Sequence, residues 1–177
     1  MIIFVRYFVL KMNDTTYQWY ALYTKSRAEK KVYDELRQKG IETYLPLRKV
    51  LKQWSDRKKW IETPIINSYI FVHISKSNYL RVFEVRGIVS YVSKEGRAVV
   101  IPDCEMEAMQ RTVSSNLTFN VEPNSIRKGQ IITIASGPLK GITGEVVDVR
   151  GAKKLYLRIG DLGYSLVVTL DDEATKD

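Results

Sequence analysis

The chain has 177 residues, 45% hydrophobic and 27% charged, which suits a folded soluble protein of one medium domain or two small ones and argues against a membrane protein. Its formal net charge is +8, distributed as +7 over residues 18–113, +4 over 126–170 and −3 over 171–177, so the regions expected to fold are basic and drawn to polyanions, nucleic acid first among them. A single cysteine, Cys104, and a single histidine, His73, exclude an internal disulfide and a cysteine zinc cluster, leave little for Ser-His or Cys-His catalysis, and fit a reducing, cytoplasmic setting with no cofactor.

The chain opens on "MIIFVRYFVL". This apolar run has Arg6 in its middle and falls far short of the roughly 20 residues that span a bilayer. It also lacks a basic start and a small-residue cleavage site. Residues 1–17 read as an N-terminal extension, of which 1–11 are disposable; the alternative is an extra edge strand.

"QWYALYT" (18–24) reads as a strand. Ser26 with Glu29 has the spacing of a capping box, opening a helix that Gly40 stops. Ala28, Val32, Leu36 and Tyr33 form its candidate buried stripe. "IETYLP" (41–46) is a second strand. Residues 47–65 form two strand-like arms around Ser55-Asp56, a turn signal. Arg48, Lys49, Lys52, Arg57, Lys58 and Lys59 decorate them, with Trp54 and Trp60 near the tip, which gives a protruding basic hairpin.

"NSYIFVHI" (67–74) is the next strand. Alternation sends Tyr69, Phe71 and His73 to one face and Ile70, Val72 and Ile74 to the other. Both faces are therefore apolar, through aromatics on one side and aliphatics on the other. The rings are either core or a surface meant for a partner. A short helix capped by Ser77 covers 77–85. Strands at 89–94 and 97–101 flank a Glu95-Gly96 turn, and Pro102 opens a last helix through about Val113.

Residues 18–113 thus predict an α/β sandwich with a mostly antiparallel sheet. The polar stretch 114–125 reads as a linker. From Ile126 short β runs alternate with glycines, which predicts a small five-stranded barrel over 126–170. Its candidate core is Ile132, Ile134, Val146, Val149, Leu157 and Val167. Residues 171–177 are an acidic tail. The fold class is α+β: the sandwich plus a small SH3-like barrel.

"KGQIITIASGPLKGITGEVVDV" (128–149) resembles a KOW motif. Gly137 and Gly141 permit its tight turn, Pro138 stiffens it, and Gly144 lets strands approach closely. "QWYALYTKSRAEKKVYDEL", the basic hairpin, "SYIFVHI" and "VRGIVSYV" resemble the N-terminal domain of the NusG family of transcription elongation factors. The resemblance covers 18–170 in the family's domain order. It implies a non-enzymatic factor, monomeric, whose hydrophobic concavity receives the clamp helices of the RNA polymerase β′ subunit. By that resemblance Trp19, Tyr23, Tyr69 and Phe71 line the concavity.

Lys25, Arg27, Lys30 and Lys31 would lie near the non-template DNA strand, and Arg57, Lys58 and Lys59 of the hairpin would reach upstream DNA; each group is otherwise an ordinary solvated face. The barrel would recruit a further partner, such as ribosomal protein S10 or Rho. Where housekeeping members commonly have Pro-Gly-Tyr, this chain has Asn67-Ser68-Tyr69. It looks closer to specialised, operon-specific RfaH- and UpxY-type members that serve loci such as polysaccharide operons. The gate-loop patch of RfaH has no match in Asn78-Tyr79-Leu80-Arg81. The runs "SLVVTL" and "LYLRI" oppose long helices, so the barrel is expected to stay β. A ribosome-associated KOW RNA-binding protein fits the basic surface and leaves the aromatic face unexplained.

Overall fold

The computed structural model describes residues 15–54, 56–115, 117–124, 129–149 and 151–170. Most of the expected N-terminal extension and the acidic tail 171–177 lie outside the described residues. In chain order the elements are β1 (Tyr17–Thr24), α1 (Glu29–Gln38), β2 (Glu42–Tyr44), β3 (Leu47–Gln53), β4 (Lys58–Pro64), β5 (Tyr69–Ser75) and a 3-10 helix (Lys76–Glu84). There follow β6 (Ile88–Tyr91), β7 (Ser93–Lys94), β8 (Arg97–Ala98), β9 (Val100–Ile101), α2 (Asp103–Ser114) and β10 (Phe119–Pro123). The last are β11 (Gln130–Thr133), β12 (Thr143–Val149), β13 (Ala152–Arg158) and β14 (Tyr164–Thr169). These residues form two compact units, one within Met1–Leu45 and Asn67–Val100, the other within Pro46–Ile66 and Ile101–Asp177.

The first unit is built on an antiparallel sheet in the order β2-β5-β1-β6, with β9 also pairing β1. The central strands β1 and β5 are buried on both faces, which is why they read as nearly continuous apolar runs. Trp19 to Leu22 and Ile70 to Val72 are all buried. α1 buries Glu29, Val32 and Leu36 at helical spacing. Its start differs from the expected capping box. The N-cap is Ala28, and no side chain caps it. Arg27 takes a left-handed backbone, φ 64, which separates Ser26 from the first turn. The Glu29 carboxylate instead accepts the Ser68 amide N–H at 2.7 Å. The expected helix at 77–85 is a 3-10 helix, again with no side-chain cap. The single strand expected over 89–94 is broken into β6 and β7.

The second unit holds the β3–β4 hairpin, α2, and a five-stranded antiparallel sheet in the order β10-β14-β13-β12-β11. Residues 114–125 are thus not all linker. Ser114 ends α2, and β10 pairs with β14 from Phe119 opposite Val168 to Pro123 opposite Tyr164. Phe119 and Val121 alternate with Asn120 and Glu122, so the segment has a two-residue period, too short to outweigh its polar neighbours when read alone. The β14 run Ser165 to Val168 is wholly buried, together with Leu155, Leu157 and Ile159. Of the six predicted core positions, Ile134, Leu157 and Val167 are buried, while Ile132, Val146 and Val149 are half-buried. α2 buries Met106, Ala108, Met109 and Thr112. Its Arg111 guanidinium donates to the Pro138 and Lys140 carbonyls, at 2.7 and 2.8 Å from Nη2.

Candidate functional site: an aromatic sheet face and two basic clusters

The strand register decides which rings meet. Trp19 lies opposite His73, Ala21 opposite Phe71 and Tyr23 opposite Tyr69. From β2, Glu42 lies opposite His73 and Tyr44 opposite Phe71. Opposite residues in an antiparallel pair share a face, so these side chains form one continuous surface. Tyr20, Leu22, Ile70, Val72 and Ile74 form the other. On that second face Tyr79 stacks on Tyr91 with ring centroids 3.8 Å apart. The Tyr91 hydroxyl donates to the Tyr79 carbonyl at 2.7 Å. Burial, with Tyr79 and Tyr20 alongside, holds the Tyr91 phenol above its usual range.

The first face has a floor and a rim. Phe71 is fully buried and Trp19 is 7% exposed, whereas Tyr23 is 43% exposed and Tyr69 is half-buried. All four rings were expected to be open to a partner; Phe71 and Trp19 have almost no free surface here. Phe71 sits in a central strand, walled by Ala21 and Tyr44 across the ladder and by Tyr69 and His73 along it. Trp19 stacks on His73 at 4.9 Å. Tyr23 and Tyr69 meet edge to face at 5.7 Å and keep the accessible edge.

Three rim residues, Tyr17, Glu42 and Tyr44, escaped the sequence reading, and they join His73, which strand alternation already puts on this face. Tyr17, 55% exposed, tilts against His73 at 5.5 Å. His73 Nδ1 lies 2.7 Å from Glu42 Oε2, which fixes the ring plane against Trp19. Tyr44 has its phenol pushed up to about 12 by burial, so it remains a neutral hydroxyl at any physiological pH. Tyr17 was findable, because it continues the two-residue alternation of a strand already recognised. Glu42 and Tyr44 required the β2–β5 register.

The predicted cations fall into two groups. Lys25, Arg27, Lys30 and Lys31 are all exposed at the β1–α1 junction. Lys31 pairs with Glu35 at 3.8 Å; among the described residues no carboxylate lies within ion-pair distance of the other three. Arg57, Lys58 and Lys59 are exposed near the hairpin tip, in the second unit. Arg57 lies 3.9 Å from Asp56.

The KOW-like turn is closed by the Gly141 amide donating to the Ile134 carbonyl at 2.8 Å. Gly137 and Gly141 have φ 76 and 82, the left-handed region that glycine enters freely. Pro138 supplies the carbonyl that Arg111 holds. At Gly144 a Cβ would come within 2.6 Å of Leu155 Cδ1 and 3.0 Å of the Tyr156 carbonyl oxygen, so close strand approach is the reason for this glycine. Among the described residues no group of three His, Cys, Asp or Glu side chains is placed to hold a metal ion, and no helix is long and apolar enough to cross a membrane.

A search of curated proteins returned no match. Among solved structures, a Thermotoga maritima NusG structure on domain interaction aligns over 92% of this chain and 97% of its own. The identity is 22% and the TM-score 0.53, which is a likeness of fold. The MjSpt4:Spt5 complex, conformation B, aligns over 89% of this chain and 95% of its own at 15% identity. Its TM-score is 0.30, too low to support an argument. The profile of the NusG family, described as transcription termination factor nusG, matches residues 17–110. That span contains the aromatic face, the hairpin and the β1–α1 junction, and it is more than half of the sequence: the chain belongs to the NusG family of transcription factors.

Proposed function

We propose that this protein is a non-enzymatic elongation and antitermination factor that rides on RNA polymerase and suppresses pausing or termination. The contact is the exposed edge of the aromatic face, with Tyr23 and Tyr69 seated against the clamp helices of the β′ subunit and Trp19 and Phe71 as a rigid floor beneath them. The observation that carries this reading is a rim of accessible tyrosines, Tyr23 and Tyr69 at one end and Tyr17 at the other, around the packed rings of Trp19 and Phe71. Aromatic anchors in such a setting give large contact area at small entropy cost. Binding favours whichever polymerase state it contacts best, and no chemistry by the factor is needed.

In this reading Lys25, Arg27, Lys30 and Lys31 approach the non-template DNA strand and pair with its phosphates. Of the three hairpin cations, Arg57 and Lys59 reach DNA as well, while Lys58 lies on the other face of the hairpin. The barrel, with its turn at Gly137, Pro138, Gly141 and Gly144, recruits a second partner such as ribosomal protein S10 or Rho. The Asn67-Ser68-Tyr69 sequence at the start of β5 favours an operon-specific role over a housekeeping one.

The test is binding to purified core polymerase. Tyr23→Ala and Tyr69→Ala are each expected to weaken it by about 1–3 kcal/mol with an unchanged unfolding midpoint. Phe71→Ala is expected to destabilise the first unit by roughly 3–5 kcal/mol, the cost of emptying a core site. Undiminished polymerase binding by the Tyr23→Ala/Tyr69→Ala double variant sinks the proposal.

A further inference from the structure

The β3–β4 hairpin divides its cations unevenly between its two faces. Lys52 lies directly opposite Lys59, Arg48 opposite Thr63, and Lys49 opposite Glu62. Because faces alternate along each strand, Arg48, Lys52 and Lys59 share one face, while Lys49, Lys58 and Glu62 share the other. At the tip the Trp54 amide N–H donates to the Arg57 carbonyl at 2.8 Å, so this pair continues the first face. Trp54 is 43% exposed, and the Arg57 guanidinium carbon lies 6.0 Å from its ring centroid.

Like charges directly opposed across a ladder destabilise it. Among the described residues neither Lys52 nor Lys59 has a carboxylate within ion-pair distance. The sequence retains a repulsive pair beside an exposed indole, on a face with no acidic side chain between its strands. The opposite face is mixed in sign, holding Glu62 with the exposed Leu51 and Trp60.

We infer that the face carrying Arg48, Lys52, Trp54, Arg57 and Lys59 binds a single-stranded nucleic acid. A phosphate between Lys52 and Lys59 relieves their repulsion. The Trp54 indole, backed by Arg57, takes an unpaired base; stacking of this kind tolerates any sequence because every base has a π-face. A duplex hides those faces in its own stack. Lys58, which the sequence groups with Arg57 and Lys59, points to the other face and contributes little. The inference deepens the nucleic-acid part of the proposed function and rests on that part alone, since the polymerase contact is carried by Tyr23 and Tyr69.

The test titrates the full chain against a fluorescently labelled, mixed-sequence DNA strand, with the RNA of the same sequence and the annealed DNA duplex in parallel, at several salt concentrations. Two double variants each remove two cations from the same hairpin. Lys52→Ala/Lys59→Ala should weaken single-strand binding about tenfold and reduce the slope of log K against log salt by roughly 0.7 per lost phosphate contact. Lys49→Ala/Lys58→Ala should change it by less than about threefold, with the slope nearly kept. Trp54→Ala should cost roughly tenfold on single strands.

The Lys52→Ala/Lys59→Ala variant should melt no lower than the parent, because a repulsion has been removed; a normal melt also excludes unfolding as the cause of lost binding. Preferential binding of either single strand over the duplex supports the inference. Equal losses from the two double variants, or no effect of Trp54→Ala, overturn the face assignment while leaving nucleic-acid binding intact. No single-strand binding by the parent protein overturns both the inference and the nucleic-acid part of the proposed function.

Discussion

Ser68 turns the chain into β5 with φ 64, in the left-handed region that costs a residue bearing a Cβ about 1–2 kcal/mol. Two hydrogen bonds hold it there. Its amide donates to the Glu29 carboxylate at 2.7 Å, and its carbonyl accepts the Thr24 amide at 2.8 Å. Both bonds engage the backbone, so they survive a change of side chain. Ser68→Gly should therefore relieve the strain, and the greater freedom of glycine in the unfolded chain returns roughly 0.5–1 kcal/mol of that gain. The expected net effect is stabilisation of about 0.5–1 kcal/mol, read as a higher midpoint in urea. A midpoint that stays put or falls would mean the turn is not strained. The Asn67-Ser68 stretch that leads into Tyr69 is thus supported by a carboxylate from α1.

Elements with a strong period were legible before any coordinates. β1 and β5 declared themselves by aromatic and branched residues, the hairpin by its two arms, and α1 by its stripe at Val32 and Leu36. β10 was missed because five residues with two apolar side chains form a strand only when β14 is there to pair with them. The KOW-like turn separates two reasons for glycine, and they give different costs. At Gly137 nothing lies within 4 Å of an added Cβ, so Gly137→Ala should cost only the left-handed penalty, about 1–2 kcal/mol. At Gly144 the φ is ordinary, but the methyl would press on Leu155, Leu157 and the Tyr156 carbonyl. The leucine tips can shift and the carbonyl cannot, so Gly144→Ala should cost about 1–3 kcal/mol through overpacking. Chemical denaturation of the two variants compares the costs. The discriminating measurement is the structure around β13, which Gly144→Ala should displace and Gly137→Ala should leave in place.

For the whole molecule, charge and function are linked. A net charge of +8 speeds encounter with any polyanion and carries no information about which gene is read. Whether the factor acts everywhere or at one locus is decided by sequence-specific contacts and by the rate of recruitment. The operon-specific role proposed above predicts that mapping its occupancy along the chromosome shows enrichment at a single locus. Even enrichment across all transcribed genes would replace that reading with a housekeeping role and leave the polymerase contact standing.

The sequence by itself determined the types of the strongly periodic elements, the basic character of both regions, the KOW-like turn and the family resemblance, because these depend on local period, backbone freedom and composition. Tertiary structure alone decided that Phe71 and Trp19 form a floor while Tyr23 and Tyr69 stay open, since burial depends on which strands flank a ring. It alone turned Glu29 from a helix cap into a partner of Ser68 and set Lys52 directly opposite Lys59. Those assignments follow from register and from contacts between residues far apart in the chain, and a local pattern contains neither.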